Sequence, residues 1–288
     1  MNKTALLITP LLLLTCKLNA QSGSEIYIAD IEIKATAASV ANIKNISNHT
    51  GYDNQPYFMP GSNKILFSSI RDAKQSNIYE YDMASEKLLP FINTEESEYS
   101  PTLSLDGKHI ICVRVEKDET QRLWAFDLKK KKPSVFLPKI DSVGYFTFLS
   151  KEQLALFVLG EPQTLRIADI KTQSEKIVDK NIGRALYRYP LNGQLYYVDK
   201  SNNEKWFLKS IVGNESVSVI EMPAETEDIC ITPDGLVLTF SKNKLLGFYP
   251  GESRSWFVLA ELNDFVNKKI TRLAINSGAN KLAFVVAE

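Results

Sequence analysis

Short apolar stretches recur along this chain with polar residues at alternate positions, the period of two that marks half-buried β-strands. One recurring element is a strand closed by an acid: IYIAD ending at Asp30, IYEYD ending at Asp82, LWAFD ending at Asp127 and LRIAD ending at Asp169. Two weaker copies follow, WFLKS ending at Ser210 and LLGFY ending at Tyr249. Successive copies are spaced 52, 45, 42, 41 and 39 residues apart. Upstream of each interval lies a second element, a turn leading into an apolar strand. Asp106-Gly107 precedes Ile110–Cys112, Asn192-Gly193 precedes Leu195–Tyr197, and Asp234-Gly235 precedes Leu236–Phe240; related turns occur at 59–64, 150–152 and 277–280. Gly and Asn or Asp at such places supply the positive φ that a tight hairpin requires.

Each unit therefore predicts four short antiparallel strands in about 40–45 residues, and no stretch combines a sustained helical period with caps. That is the signature of a propeller blade. The two ends of the chain are complementary halves. The last unit, from Ile270 to Glu288, supplies two strands, whereas the first begins with what reads as a third strand, 26–30, and a fourth, Val40–Ile46. The expected fold is all-β: a six-bladed β-propeller whose last blade is closed by the N-terminal strands. Such closure removes open strand edges.

Residues 1–20 do not belong to this pattern. Lys3 opens the chain with a positive charge, an apolar run follows over 5–14, and Ala20 offers a small residue for cleavage, the layout of a signal peptide. The run is too short for a membrane-spanning helix. Cys16 raises the alternative of a lipoprotein, but Leu14 and Thr15 are not the small residues that pattern requires. The expected organisation is a signal peptide over 1–20, cut after Ala20, and a single propeller domain over 21–288. The mature chain would then be periplasmic or secreted, with no membrane span.

Over the whole chain, 34 Lys and Arg balance 34 Asp and Glu, which argues against a nucleic-acid partner. Two histidines and three cysteines provide little for a His-rich metal site or a disulfide scaffold. Cys112 and Cys230 fall in units on opposite sides of the predicted ring and are expected to be buried free thiols. The run Lys129–Lys132 falls between third and fourth strands and reads as a solvated outer hairpin.

FMPGSNKILFSSIRD at 58–72, with NIYEYD at 77–82, resembles the repeat of TolB-like propellers. Phe58, Pro60, Ile65, Phe67, Ser69, Arg71, Asp72, Ile78, Tyr79 and Asp82 match its pattern, whereas Met59, Gly61 and Ser62 depart from it in the turn. The next unit keeps Pro101, Asp106, Gly107, Leu123, Trp124 and Asp127, but has Val113-Arg114-Val115 in place of the Ser-x-Arg-Asp element. The resemblance is specific over roughly 52–130 and architectural beyond. It implies a periplasmic six-bladed propeller used as a binding platform, and it carries over no catalytic residues. With the first strand near Glu25, no room is expected ahead of it for the additional N-terminal domain of TolB.

The candidate chemistry lies in the loops between blades, since loops on a rigid scaffold carry binding. Tyr52, Asp53, Asn54, Gln55, Glu98, Tyr99, Tyr145, Arg184, Tyr187 and Asp228 are the expected partner-binding residues, an aromatic and acidic collar at one mouth of the channel. Tyrosines give large amphipathic contact area at interfaces. The bland alternative is that Tyr99 and Tyr145 only pack blade against blade. Asp30, Asp82, Asp127 and Asp169 are expected to cap turns through backbone N–H groups, Arg71 and Asp72 to form a local ion pair, and His109 to be exposed. His49, in a loop between blades, has no second histidine near it in sequence. No Gly-x-Ser-x-Gly, His-Glu-x-x-His or P-loop motif is present, and no cofactor or metal is expected on the first reading.

That reading is an exported, non-catalytic propeller that binds a protein or peptide of the cell envelope across its inter-blade loop face. The alternative is a divalent-metal-dependent hydrolase of lactonase type, with Asp53, Glu98, Asp141 and Asp228 supplying the oxygen donors that hard cations need. An accessory sensor for a neighbouring envelope enzyme is not separated from the first reading by sequence.

Overall fold

The computed structural model describes residues 23–71, 75–130 and 132–288. The expected signal peptide with Cys16, and Asp72 of the expected ion pair, lie outside the described residues. The chain begins with β1 (Ser24–Lys34) and β2 (Ala37–Asn45). It continues through β3 (Tyr52–Phe58), β4 (Lys64–Ile70), β5 (Asn77–Asp82) and β6 (Lys87–Ile92). The next four are β7 (Ser97–Leu103), β8 (His109–Val115), β9 (Gln121–Asp127) and β10 (Pro133–Val135). Then come β11 (Val143–Phe148), β12 (Gln153–Val158), β13 (Thr164–Asp169) and β14 (Glu175–Lys180). They are followed by β15 (Ile182–Arg188), β16 (Leu195–Asp199), β17 (Phe207–Val212) and β18 (Glu215–Glu221). The chain closes with β19 (Cys230–Ile231), β20 (Val237–Ser241), β21 (Lys244–Phe248), β22 (Phe257–Glu261), a single 3₁₀ turn, β23 (Lys269–Ile275) and β24 (Lys281–Ala287). The protein is all-β, and no helix among the described residues is long and apolar enough to cross a membrane.

Four of the sheets are simple antiparallel sets of four, β7–β10, β11–β14, β15–β18 and β19–β22. The remaining eight strands form one sheet in which β23-β24-β1, with β2 beside β1, meets β3-β4-β5-β6. The junction is a single parallel bridge between Ser24 and Tyr52. By contrast, β1 runs antiparallel to β24 over seven residue pairs, from Ser24 opposite Ala287 to Asp30 opposite Lys281. Strands from the two ends of the chain thus share one four-stranded set.

The second strand of each set is buried on both faces, as in Ile65–Ser69, Ile110–Arg114 and Leu154–Val158. That pattern follows from sheets stacking face to face, where a middle strand has no solvent side. Apolar clusters fill each gap between successive sets: Leu66 and Ile78 meet Ile110 and Cys112, Ile111 and Leu123 meet Phe146 and Leu156, and Ala155 and Phe157 meet Leu186 and Tyr197. Further on, Tyr196 and Val198 meet Val237 and Phe248, Leu236 and Leu238 meet Leu282 and Phe284, and Ile26 and Val285 meet Ile65 and Phe67. Cys112 and Cys230 are free and buried.

The turn chemistry works as the spacing requires. Gly107 and Gly235 take φ of +70° and +91°, the left-handed region that a Cβ would strain. Asp82 accepts the backbone N–H groups of Ala84 and Ser85, Asp127 those of Lys129 and Lys130, and Asp169 that of Thr172. Asp30 breaks the series. The ladder of β1 with β2 runs past Asp30 to Lys34 opposite Ala37, so the turn falls later, and the Asp30 carboxylate bonds Asn42 Nδ2 and Lys281 Nζ instead of capping it. His109 is half-buried rather than exposed, with the Asp106 and Asp127 carboxylates 3.9 and 4.0 Å from its ring nitrogens.

Candidate functional site

The first strand of each set, or the segment just before it, contributes residues to one cavity of about 190 Å³. Gln55 comes from β3, Ser100 from β7, Tyr145 from β11, Arg184 and Tyr187 from β15, Asp228 from just before β19, and Arg272 from β23. A second cavity of about 400 Å³ shares Tyr145, Arg184, Asp228 and Arg272 with the first and adds Tyr52, Asn54 and Glu227. The side chains reach these cavities because the ladders of the first strands slip: register shifts fall after Asn54, Tyr99, Val143, Ile182 and Thr271. Such bulges re-aim side chains. Gln55, Ser100 and Arg272 take φ of +58°, +54° and +37° there, an uncommon backbone for non-glycine residues.

The chemical centre is a triad of charges. Arg184 donates to Asp228 through Nε at 2.9 Å and Nη2 at 2.5 Å, the two-pronged geometry a guanidinium and a carboxylate favour. Arg272 Nε lies 3.5 Å from Asp228 Oδ1, is buried and makes no hydrogen bond among the described residues, and its guanidinium sits over the Tyr145 ring at 4.5 Å. Burial by itself would raise the Asp228 carboxyl. The Arg184 hydrogen bonds and the two cationic charges outweigh it and hold the group below its ordinary range. Glu227 backs this triad, accepting the Arg184 backbone N–H at 3.4 Å and pairing with Lys200 at 3.2 Å. Gly183 permits that approach, since a Cβ there would lie 3.0 Å from Glu227 Oε2.

The predicted residues separate into two groups. Tyr52, Asn54, Tyr145, Arg184 and Asp228 line the second cavity, and Gln55 and Tyr187 the first. Asp53 and Glu98 instead turn into the sheets and are fully buried. Asp53 sits 3.4 Å from Arg71 Nη2, and burial pushes its carboxyl up to about 6 despite bonding from Ser69 and the Arg71 charge. Glu98 accepts the Thr94 hydroxyl at 2.6 Å and lies 3.3 Å from Arg114; burial pushes it up to about 7. Tyr99 lines neither cavity; its ring meets Tyr52 edge-on at 6.3 Å and packs against the apolar cluster of the next set. Gln55 ties neighbouring sets together, its Oε1 accepting Ser68 Oγ at 2.7 Å and the Ser100 N–H at 2.8 Å. Arg71 bonds Ser69 and the Ser47 carbonyl.

The proposed cation ligands do not fit a shared ion. Asp228 is committed to two arginines, Asp53 and Glu98 each to one in separate sets, and Asp141 is exposed and accepts the Ser142 hydroxyl. Among the described residues no three His, Cys, Asp or Glu side chains gather at metal-binding distance. Arg272 escaped the sequence reading. Its signal was an apolar residue one position removed from a cavity residue at the start of a first strand: Val143 before Tyr145, Ile182 before Arg184 and Ile270 before Arg272.

No family model matches the chain, and no curated protein matches it in sequence. Solved structures do match in shape. One described as a TolB from Agrobacterium tumefaciens superposes with a TM-score of 0.68 at 11% identity, covering 93% of this chain and 99% of the other. An oligogalacturonate lyase in complex with manganese gives 0.53 at 15% identity, covering 85% and 79%. TolB from Acinetobacter baumannii gives 0.55 at 13% identity, covering 92% of this chain and 64% of its own. The fold is that of the TolB-like β-propellers. That architecture hosts both a lyase and TolB, so it leaves activity to be argued from the site.

Proposed function

We propose that the chain is an exported, non-catalytic six-bladed β-propeller that binds a protein or peptide of the cell envelope at one mouth of its central channel. In this reading residues 1–20 are a signal peptide, and 21–288 form one domain closed by pairing of β1 with β24. The apolar clusters in the gaps between successive sets, including the gap bridged by Ile26 and Val285, support that closure. One observation carries the functional reading: five first strands and the segment just before β19 contribute to one cavity, and the cavity that adjoins it gathers Tyr52, Asn54, Tyr145, Arg184 and Asp228. Aromatic side chains beside a rigid arginine–carboxylate pair are the composition of binding hot spots. Asp53, Gln55, Glu98 and Tyr99 serve the collar from behind by fixing the strands that present it.

The metal-dependent hydrolase reading has less support, because three of its four candidate carboxylates are held by arginines and the fourth, Asp141, is exposed. The test is capture of partners from envelope extract by the mature protein, with a Tyr52→Ala, Tyr99→Ala, Tyr145→Ala variant beside it. The wild type should retain a discrete set of proteins that the folded variant loses. Equal capture by both would overturn the collar assignment.

A further inference from the structure

The cavity triad is unbalanced. Two arginine side chains face one aspartate, and the guanidinium hydrogen bonds that the aspartate accepts come from Arg184, Arg272 giving it only its backbone N–H. Arg272 is left with a buried Nε that has no acceptor among the described residues, at a distance from Asp228 too long for a hydrogen bond. Tyr145 covers one face of its guanidinium, and because guanidinium donors lie in the plane, the edge of the group is what remains for recognition. Its backbone is held at φ +37° on a bulge, a cost that structures retain most often where a ligand is clamped. Arg272 also lines both cavities, so a group held in either lies beside it.

We propose that Arg272 seats a carboxylate of the bound ligand: the C-terminal carboxylate of an extended peptide, or an Asp or Glu side chain within it. One negative charge balances the triad, whereas a dianionic phosphate would crowd a second charge against Asp228. The fork of a guanidinium matches a carboxylate edge to edge, and about 190 Å³ beyond it accommodates a group of side-chain size. The proposal rests on the reading of this mouth as the binding face.

The test uses the mature chain labelled with ¹⁵N-arginine, observed at the arginine Nε–H resonances. Three probes are titrated: acetyl-trialanine with a free carboxylate, the same peptide as its amide, and acetyl-Ala-Asp-Ala amide. At least one acid should bind tenfold or more tighter than the neutral amide and shift the Arg272 Nε–H. Preference for the first acid assigns the site to a chain terminus, and preference for the second to an acidic side chain. Arg272→Gln, if its thermal melt matches wild type, should lose that tenfold preference; if it does not fold, the wild-type titration decides alone. Absence of binding, equal affinity for amide and acids, an unmoved Arg272 resonance, or undiminished acid preference in folded Arg272→Gln each overturns the proposal. A protein that captures partners through its tyrosines but ignores the carboxylate keeps the proposed function and loses this inference. One that prefers the acids but captures nothing does the reverse.

Discussion

Two walls of the same mouth handle charge in opposite ways. On β3 and β7, Asp53 and Glu98 point back into the sheets, each against an arginine, and burial raises both carboxyls. On the side formed by β15, β23 and the segment before β19, Asp228 faces the cavity, and two arginines depress it. The difference is one of geometry. A carboxylate against one imperfectly placed arginine at 3.3 or 3.4 Å does not recover the hydration it gives up, whereas the two-pronged bond to Arg184 with Arg272 behind it does. The first wall turns its carboxylates into the sheets, and the second presents its charges to the cavity, where the proposed ligand would bind.

The largest expected effect tests the second wall. Asp228→Asn keeps the shape and removes the charge, leaving Arg184 and Arg272 side by side. Breaking a buried pair leaves an uncompensated ion. Because Glu227 stays 3.6 Å from Arg184, the low end of that range applies, about 3 kcal/mol, or a melting temperature lower by roughly 6 °C. Thermal denaturation checks it. A loss no larger than that of an ordinary surface substitution would mean the two walls do not differ in kind.

The pH dependence of stability separates the walls by sign. Asp53 and Glu98 have folded values of about 6 and about 7, above their ordinary 3.8 and 4.5, so the folded state binds protons more tightly there. Their contribution to stability is complete below about pH 4 and is lost as pH rises through 6 to 7. Asp228, depressed when folded, contributes above its ordinary 3.8 and loses that contribution as pH falls through its lower folded value. Melting temperature should therefore rise from pH 8 to pH 5 and fall again in stronger acid. An Asp53→Asn, Glu98→Gln variant should flatten the limb between pH 8 and 5 and leave the acid limb in place. A wild-type profile that declines steadily from pH 8 to 5 would contradict the assignment of the first wall.

How legible this was follows from what each residue answers to. Turn positions are written locally, in Asp-Gly turns and alternating runs, and the second and third strands of the sets lie on the runs those patterns mark. Asp82, Asp127 and Asp169 cap their turns because capping needs only the next two or three residues. Asp30 has the same local sequence and a different fate, since its partner Lys281 comes from the far end of the chain. The site divides the same way. Its rim residues were found because the repeat places them at strand starts, yet which way a carboxylate turns depends on a bulge and on an arginine dozens of residues away. Asp53 and Glu98 read as rim acids and are buried, and Arg272 was missed because its partners Tyr145 and Asp228 lie on other strands.

Gln55 gives the smallest and most local test of the contrast, because it belongs to the supporting wall although it lines the first cavity. Its Oε1 accepts both Ser68 Oγ and the Ser100 N–H, and so joins β3 and β4 to β7. Gln55→Leu preserves volume but removes that acceptor. The Ser100 N–H then turns to Ser68 Oγ, already 3.2 Å away, which recovers part of what is lost. A buried donor stripped of its acceptor costs about 1–3 kcal/mol, and this rescue puts the expected loss near 1 kcal/mol, read by chemical denaturation. Amide hydrogen exchange at Ser100 should quicken, while exchange at Arg184, on the opposite wall, stays unchanged. If both walls loosened together, the mouth would be one cooperative unit, and the division between support and ligand surface would not hold.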